Sequence, residues 1–298
     1  MEAKSIGIIG GGVLGKAIAR GFMEHAEVRL YDIVKEKASH SLEEAATSDI
    51  VFVALPTPAR GDGTCDTSLV EKFLLDANAN GWWSRSSCYV IRSTVPVGFT
   101  RREAKSRDFQ LPIFHSPEFL TARCSLTDFQ IPARNIIGVP ASFEEMHAVG
   151  CDVSSGNSWA MLQELYRTRF AGVPLFTMRS NSSELVKLAC NSFFALKVQA
   201  FNLFRDIADA DGSADWPDVL NGILSDGRIA HAHTAVPGPD GLPGFGGTCL
   251  PKDSADLYHC AMGLGVDADF LRSAVERNQR RRGPLDTGMA RISFPPRG

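Results

Sequence analysis

No run of apolar residues in this chain approaches the ~18 to 20 needed to cross a bilayer. Nor does its beginning, MEAKSIGIIGGG, have the basic, apolar and small-residue order of a secretory signal; an acid stands second and a strand pattern follows at once. A cytoplasmic protein without a membrane partner is expected. Charge of one sign is scarce as well: 31 Lys and Arg against 34 Asp and Glu leave a formal net charge of -3, which gives no footprint for a nucleic acid. The one basic run, Arg280-Arg281-Arg282 with Arg277 before it, reads as a solvated helix end. The seven cysteines, at 65, 88, 124, 151, 190, 249 and 260, contain no CxxC pair and no His/Cys spacing of a zinc site. No metal is expected, and the thiols read as reduced. There is no internal repeat and no long linker.

What the sequence does contain is alternation of strands and helices. Residues 6–9 are a short apolar run of the kind that suits a buried parallel strand, and they lead into GGGVLG, where Gly10, Gly12 and Gly15 fit GxGxxG. Val13 and Leu14 open a helix expected over 13–25, and a second strand over 28–31 ends at Asp32. In that context the glycines allow a tight turn and bring a pyrophosphate against the helix N-terminus. Asp32 can accept from both ribose hydroxyls, and its charge repels a 2'-phosphate, so NAD is the expected cofactor.

Further strands are expected over 50–55, 88–92, 111–114, 135–139 and 173–177, with helices over 67–79 and 158–170. They deliver Pro56 and Thr57, then Ser93 and Thr94, then Glu118, Phe119 and Leu120 to the carboxyl edge of the sheet, where ligands of open parallel sheets collect. Pro56, Thr57, Ser93 and Thr94 are assigned to the cofactor. The expected fold is α/β: an N-terminal Rossmann-like, doubly wound parallel sheet over 1–178, followed by a helical domain over 179–283. Residues 284–298 are expected to fray as a disordered tail.

The second part opens on a long helical stretch from Asn181, capped by Ser182 or Ser183 and ended by Gly212. Lys187 and Asn191 point the same way over one of its turns. After a helix over 216–224 comes a loop-rich segment with Arg228, His231 and His233, closing on GFGGTCLPKD. This last stretch reads as a glycine-rich turn that exposes the thiol of Cys249 and lets a ligand approach Phe245, Gly246 and Gly247, with Lys252 and Asp253 beside it to tune ionisation. Helices over 254–264 and 267–282 follow.

Taken in order, IGIIGGGVLG, DIVFVALPTP, RSTVPVG, SPEFL, ELVKLACNSFFALK, DGRI and GFGGTCLPKD resemble the UDP-glucose/GDP-mannose dehydrogenase family over nearly the whole chain. The resemblance implies NAD-dependent oxidation of the primary alcohol of a nucleotide sugar to a carboxylate, by two hydride transfers. It implies that Cys249 is the nucleophile that captures the intermediate aldehyde and then carries a thioester. Lys187 would stabilise charge on the reacting oxygen, with Asn191 beside it; Asp253 would orient Lys187 or a water serving as base. Glu118 and Thr94 would stand near the water that hydrolyses the thioester, and Phe119, Leu120, Phe245, Gly246 and Gly247 near the substrate. Arg228 would reach the substrate of a neighbouring subunit in a homodimer formed through the long helix.

The sequence departs from that pattern twice. Where relatives often read PEFLxEG, Ala122 and Arg123 replace the Glu and Gly. The family's third domain, a nucleotide-binding fold that holds the base and diphosphate of the substrate, is expected to be missing, since too few residues follow Cys249. Two other readings follow: a non-catalytic or partner-dependent NAD-binding subunit, and a two-electron 3-hydroxyacid-type dehydrogenase, which shares the lysine/asparagine pair but does not require GFGGTCLPKD.

Overall fold

Among the described residues, short apolar runs become seven strands: β1 (Ser5–Ile9), β2 (Glu27–Tyr31), β3 (Ile50–Val53), β4 (Cys88–Ile91), β5 (Ile113–His115), β6 (Asn135–Val139) and β7 (Leu175–Arg179). They form one sheet in the order β2-β1-β3-β4-β5-β6-β7. The structure is a computed structural model and describes residues 3–82, 88–105, 112–120, 124–140, 156–283, 291–294 and 296. Two units are distinguished, residues 1–57 with 67–187, and residues 58–66 with 188–298.

In the first unit the sheet is covered on both faces because its central strands are apolar at every position, as a buried sheet requires. Successive side chains point to opposite faces. Ile50, Phe52, Cys88 and Val90 pack with Ala17, Ile18 and Phe22 of α1 (Val13–Phe22) and with Leu162 and Leu165 of α6 (Gly156–Arg169). Val51, Val53, Tyr89 and Ile91 pack with Ala45 and Ala46 of α2 (Leu42–Ala46), Val70, Phe73 and Leu74 of α3 (Ser68–Ala79) and Phe99 of α4 (Phe99–Lys105). Phe22 stacks on Phe52 with ring centroids 5.4 Å apart, and each such fully buried side chain stabilises the fold by roughly 1.5–3 kcal/mol.

The sheet is mostly parallel rather than wholly so. β6 runs antiparallel to β5, pairing Gly138 with His115, and β7 is parallel to β6. A buried run such as NIIGV reads the same in either direction. Direction is set by the connection, and here the chain re-enters the sheet from the edge at which β5 leaves it. The sequence reading also misses α2, α4 and α5 (Ser125–Gln130), all too short to show helical periodicity. The first has a local signal: Ser41 Oγ accepts from Glu44 N and Glu44 Oε2 accepts from Ser41 N at 2.8 Å, a capping box.

α7 (Ser180–Asp211) starts directly after β7 and ends at Gly212, whose φ of 71° suits a residue without Cβ. Ser182 and Ser183 do not cap it. Ser183 is buried inside the first turn, where its hydroxyl donates to Ser180 O at 2.8 Å.

The second unit adds α8 (Trp216–Leu224), α9 (Cys249–Gly263) and α10 (Asp269–Arg282). Phe201, Ala208 and Trp216 form one small core here, and Ala255, Val275 and Ile292 another. Two expectations fail. Arg282 is no solvated helix end: its side chain is 1% exposed and bonded to Asp240 at 2.5 Å. Residues 291–294 are docked, with Ile292 buried, Ser293 N donating to Gly61 O, and Gln279 bonded to both main-chain groups of Ile292.

Candidate active site

The glycine-rich turn of the first unit is built for close backbone approach. A Cβ on Gly15 would lie 1.7 Å from Gly10 O, and Gly10, at φ 110°, faces Ala54 O. Gly12 is the N-cap of α1 without any side-chain cap, and open space surrounds its Cα. The unpaired first-turn amides of α1 therefore stay available for an anion. Val13 is exposed, while Leu14 packs against the core.

Asp32 Oδ2 accepts from Gly11 N at 2.6 Å and Oδ1 from Val34 N at 2.8 Å, leaving each oxygen a lone pair. Burial raises its carboxyl, but those amides together with Lys37 and Lys16 outweigh this and hold it below the usual range. The group is ionised, which fits the ribose hydroxyls of NAD and disfavours a 2'-phosphate. These residues fit NAD.

Past β3, Pro56 is exposed and Thr57 half-buried. Ser93 is buried, and its hydroxyl donates to Leu55 O at 2.7 Å. It thus ties the loop after β4 to the loop after β3 rather than offering its side chain to a ligand. Thr94 is half-buried.

Glu118 and Lys187 form a pair at 2.7 Å, with side chains 18% and 5% exposed, and Glu118 also accepts from Leu120 N at 2.7 Å. Burial pushes the Glu118 carboxyl up, and the Lys187 ammonium more than offsets this, so it sits below the ordinary carboxylate range. Half-buried Phe119 has Arg134 at 4.4 Å and Lys187 Nζ at 5.8 Å from its ring centroid. Nearby, burial holds His115 down to about 3, which keeps it neutral. Residues 121–123, with the Ala122 and Arg123 departures, lie outside the described residues.

In the second unit Cys249 is exposed at the first position of α9, not in a turn ahead of it. The helix starts this early because Pro251 falls in its first turn, where a missing amide costs no hydrogen bond. One turn on, fully buried Asp253 accepts from Asn191 Nδ2 at 2.5 Å and from Lys252 Nζ at 2.6 Å. Lys252 is therefore committed to Asp253, with Cys65 Sγ 3.9 Å away. Burial lowers Lys252, but Asp253, Cys65 and Asp256 outweigh it and raise its pKa. Asp256 in turn accepts from Cys65 N at 3.0 Å, and burial raises its carboxyl. Cys65 and Asp256 escape sequence reading because 191 residues separate them.

The glycines before Cys249 serve packing as much as access. A Cβ on Gly244 would meet Asn278 Oδ1 at 2.4 Å, and one on Gly246 would meet Arg282 Nη2 at 2.2 Å; only Gly247 faces open space. Asn278 accepts from Phe245 N at 2.8 Å and donates to Phe245 O at 2.7 Å, while Asn202 accepts from Gly244 N at 2.9 Å. Phe245 has its ring buried with Ala195 and Val198, and its main-chain groups are bonded to Asn278. Arg228 is exposed and bonded to Asp226 two residues away. Among the described residues no helix is long and apolar enough to cross a membrane, and no three His, Cys, Asp or Glu side chains are grouped to hold a metal ion.

A mostly parallel sheet with a glycine-rich first turn and an acid ending the second strand defines a dinucleotide-binding fold of the dehydrogenase type. The model of the UDP-glucose/GDP-mannose dehydrogenase family, NAD binding domain, matches residues 16–168, and that of the family's central domain matches residues 181–280. The chain belongs to this family, and its cofactor is NAD. It is 32% identical over 248 residues to a UDP-glucose 6-dehydrogenase of Rhizobium meliloti (strain 1021), covering 80% of this chain and 51% of that protein. The chain thus spans about half the length of the curated relatives it matches. A UDP-glucose dehydrogenase structure from Pyrobaculum islandicum aligns with TM-score 0.76 and 26% identity, covering 94% of this chain and 68% of that one. A 3-hydroxyisobutyrate dehydrogenase of Mycobacterium tuberculosis aligns with TM-score 0.72 over 99% of this chain and 97% of that one, at 17% identity. That likeness is one of fold alone.

Proposed function

We propose that this chain oxidises the primary alcohol of a nucleotide sugar of the UDP-glucose type to the carboxylate, in two NAD-dependent steps. The observation that carries the reading is an exposed thiol on the first residue of α9, one turn before a buried aspartate bonded to Asn191. A two-electron dehydrogenase needs no thiol there. When bound, NAD accepts a hydride from the alcohol carbon.

The Lys187 ammonium stabilises charge developing on the oxygen, and Asn191, steered by Asp253, holds a hydroxyl or a water. The Cys249 thiolate adds to the aldehyde carbon to give a thiohemiacetal. Loss of a second hydride converts this to a thioester, and water, oriented by Glu118 and Thr94, displaces the sulfur and regenerates the thiol. Two hydrides taken by NAD, two hydroxyl protons released to water and one water taken up account for the change from alcohol to acid. Nucleotide sugars offered one at a time with NAD, with absorbance followed at 340 nm, test this: two NADH per sugar are expected from the right substrate. One NADH per sugar would exclude the thioester route. NAD binding with no NADH from any sugar would favour the non-catalytic subunit.

We propose also that the chain forms a homodimer through α7. Phe193 and Ile207 on this helix are 62% and 59% exposed, and a groove of about 610 Å3 lies along Phe204, Ile207, Val219 and Ile223. Exposed apolar side chains beside an apolar groove mark an interface. Sedimentation equilibrium is expected to return twice the chain mass; a single chain mass across the concentration range removes the dimer.

A further inference from the structure

Three residues before Lys187 on α7 lies Glu184, fully buried in the first unit and outside every role given above. Its Oε2 accepts from Gly98 N at 2.6 Å and its Oε1 from Thr100 N at 2.8 Å. These two amides close the loop 93–98 and open α4, and Gly98 has φ 93°, a conformation that side chains with a Cβ rarely adopt. Both carboxylate oxygens are thus engaged in fixing the end of the loop whose start is fixed by Ser93 Oγ on Leu55 O. We propose that Glu184 is a positioning residue for the cofactor site: by accepting from Gly98 and Thr100 it holds the loop 93–98 in the shape that NAD requires. This rests on the assignment of the loop that carries Ser93 and Thr94 to the cofactor.

The geometry is that of the ionised acid. A protonated carboxyl has a hydroxyl in place of one acceptor, and a hydroxyl facing an amide N–H cannot reproduce the bond. Burial raises the Glu184 carboxyl to about 7, against the pull of the Thr100 and Gly98 bonds and of Arg102. Of the titratable groups around it, Glu103 of α4 also has its carboxyl raised by burial, so the assignment to Glu184 is read from the difference between the parent and Glu184→Gln. Arg102 of α4 is held by Glu71 and Glu103, His115 of β5 stays neutral down to about 3, and the next charged residue on α7, Lys187, is paired with Glu118. The sign follows. As pH falls through 7, Glu184 takes up a proton, one amide loses its acceptor, and the loop loosens.

The test is NAD affinity by calorimetry, on the full chain, between pH 6 and pH 8.5, for the parent and for Glu184→Gln, which mimics the protonated acid. For the parent, binding about tenfold weaker at pH 6 than at pH 8 is expected, with a midpoint near 7. For Glu184→Gln, binding at the weak level and flat across the range is expected. A purely structural role would lower melting temperature without flattening the profile. If Glu184→Gln does not fold, the parent decides alone: equal affinity at pH 6 and pH 8 overturns the role of Glu184 and leaves the proposed function standing. A parent that binds no NAD at any pH overturns both.

Discussion

Cys249→Ser is expected to bind NAD as the parent does and to lose acid formation by about a thousandfold or more, the scale seen when a covalent nucleophile is removed. A serine hydroxyl adds to an aldehyde, but its ester and hemiacetal chemistry lacks the ready nucleophilicity and the good leaving group that sulfur supplies. The variant should therefore stop at, or release, the two-electron product. Because Cys249 is exposed at the start of α9, its loss removes no core packing, and the melting temperature should stay within a degree or two of the parent. Three readouts on one sample check this: NAD affinity, NADH per sugar, and thermal unfolding. Acid formation at the parent's rate would remove Cys249 from the mechanism.

Lys187→Met acts through charge. Methionine fills the space of the lysine stem but strands the Glu118 carboxylate, 18% exposed, without its cation. Breaking a buried pair on one side costs about 3 kcal/mol, and loss of the electrostatic stabiliser should cut turnover by about a hundred- to a thousandfold. The pH dependence separates this from simple damage. In the parent the folded carboxyl lies below its ordinary value, so its contribution to stability is present above the unfolded pKa and is lost as pH falls through the folded one. Without Lys187, burial is opposed only by the Leu120 amide and by Arg92, so the folded carboxyl lies higher than in the parent. The ionised carboxylate then contributes less, and the loss grows as pH rises and more of it is ionised. Urea midpoints from pH 4.5 to 8 should thus fall with rising pH in the variant relative to the parent. Parallel profiles would show that Lys187 does not govern Glu118.

Much of this was legible in the chain because local rules and tertiary structure agree there. The strand, GGGVLG turn and Asp32 are contiguous, and each needs only its neighbours to be recognised. Lys187 and Asn191 are one helical turn apart, and the same periodicity points to Glu184, three residues before Lys187. The reversal of β6 was hidden because burial erases the alternation that marks a sheet face. The Cys65–Lys252–Asp256 cluster and the hold of Asn278 and Arg282 on the glycine turn were hidden for another reason. Their partners are brought together by the fold over separations of 33 to 191 residues, and no local pattern announces them. Phe245 of GFGG is a packing residue in this chain: its ring is buried with Ala195 and Val198.

The loop 58–66 leaves the sheet after β3 yet belongs with the second unit, where Cys65 meets Asp256 and Lys252 and Gly61 meets Ser293. The chain therefore passes from one unit to the other three times, and neither unit is a single stretch of polypeptide. One cut after residue 187 keeps the whole first unit but takes with it the loop 58–66 of the second. A fragment ending near residue 187 would carry these nine residues while Gly61 and Cys65 among them lose their partners Ser293 and Asp256 beyond the cut. An exchange of cofactor domains between relatives must move the loop 58–66 together with α9, or keep both from the same parent.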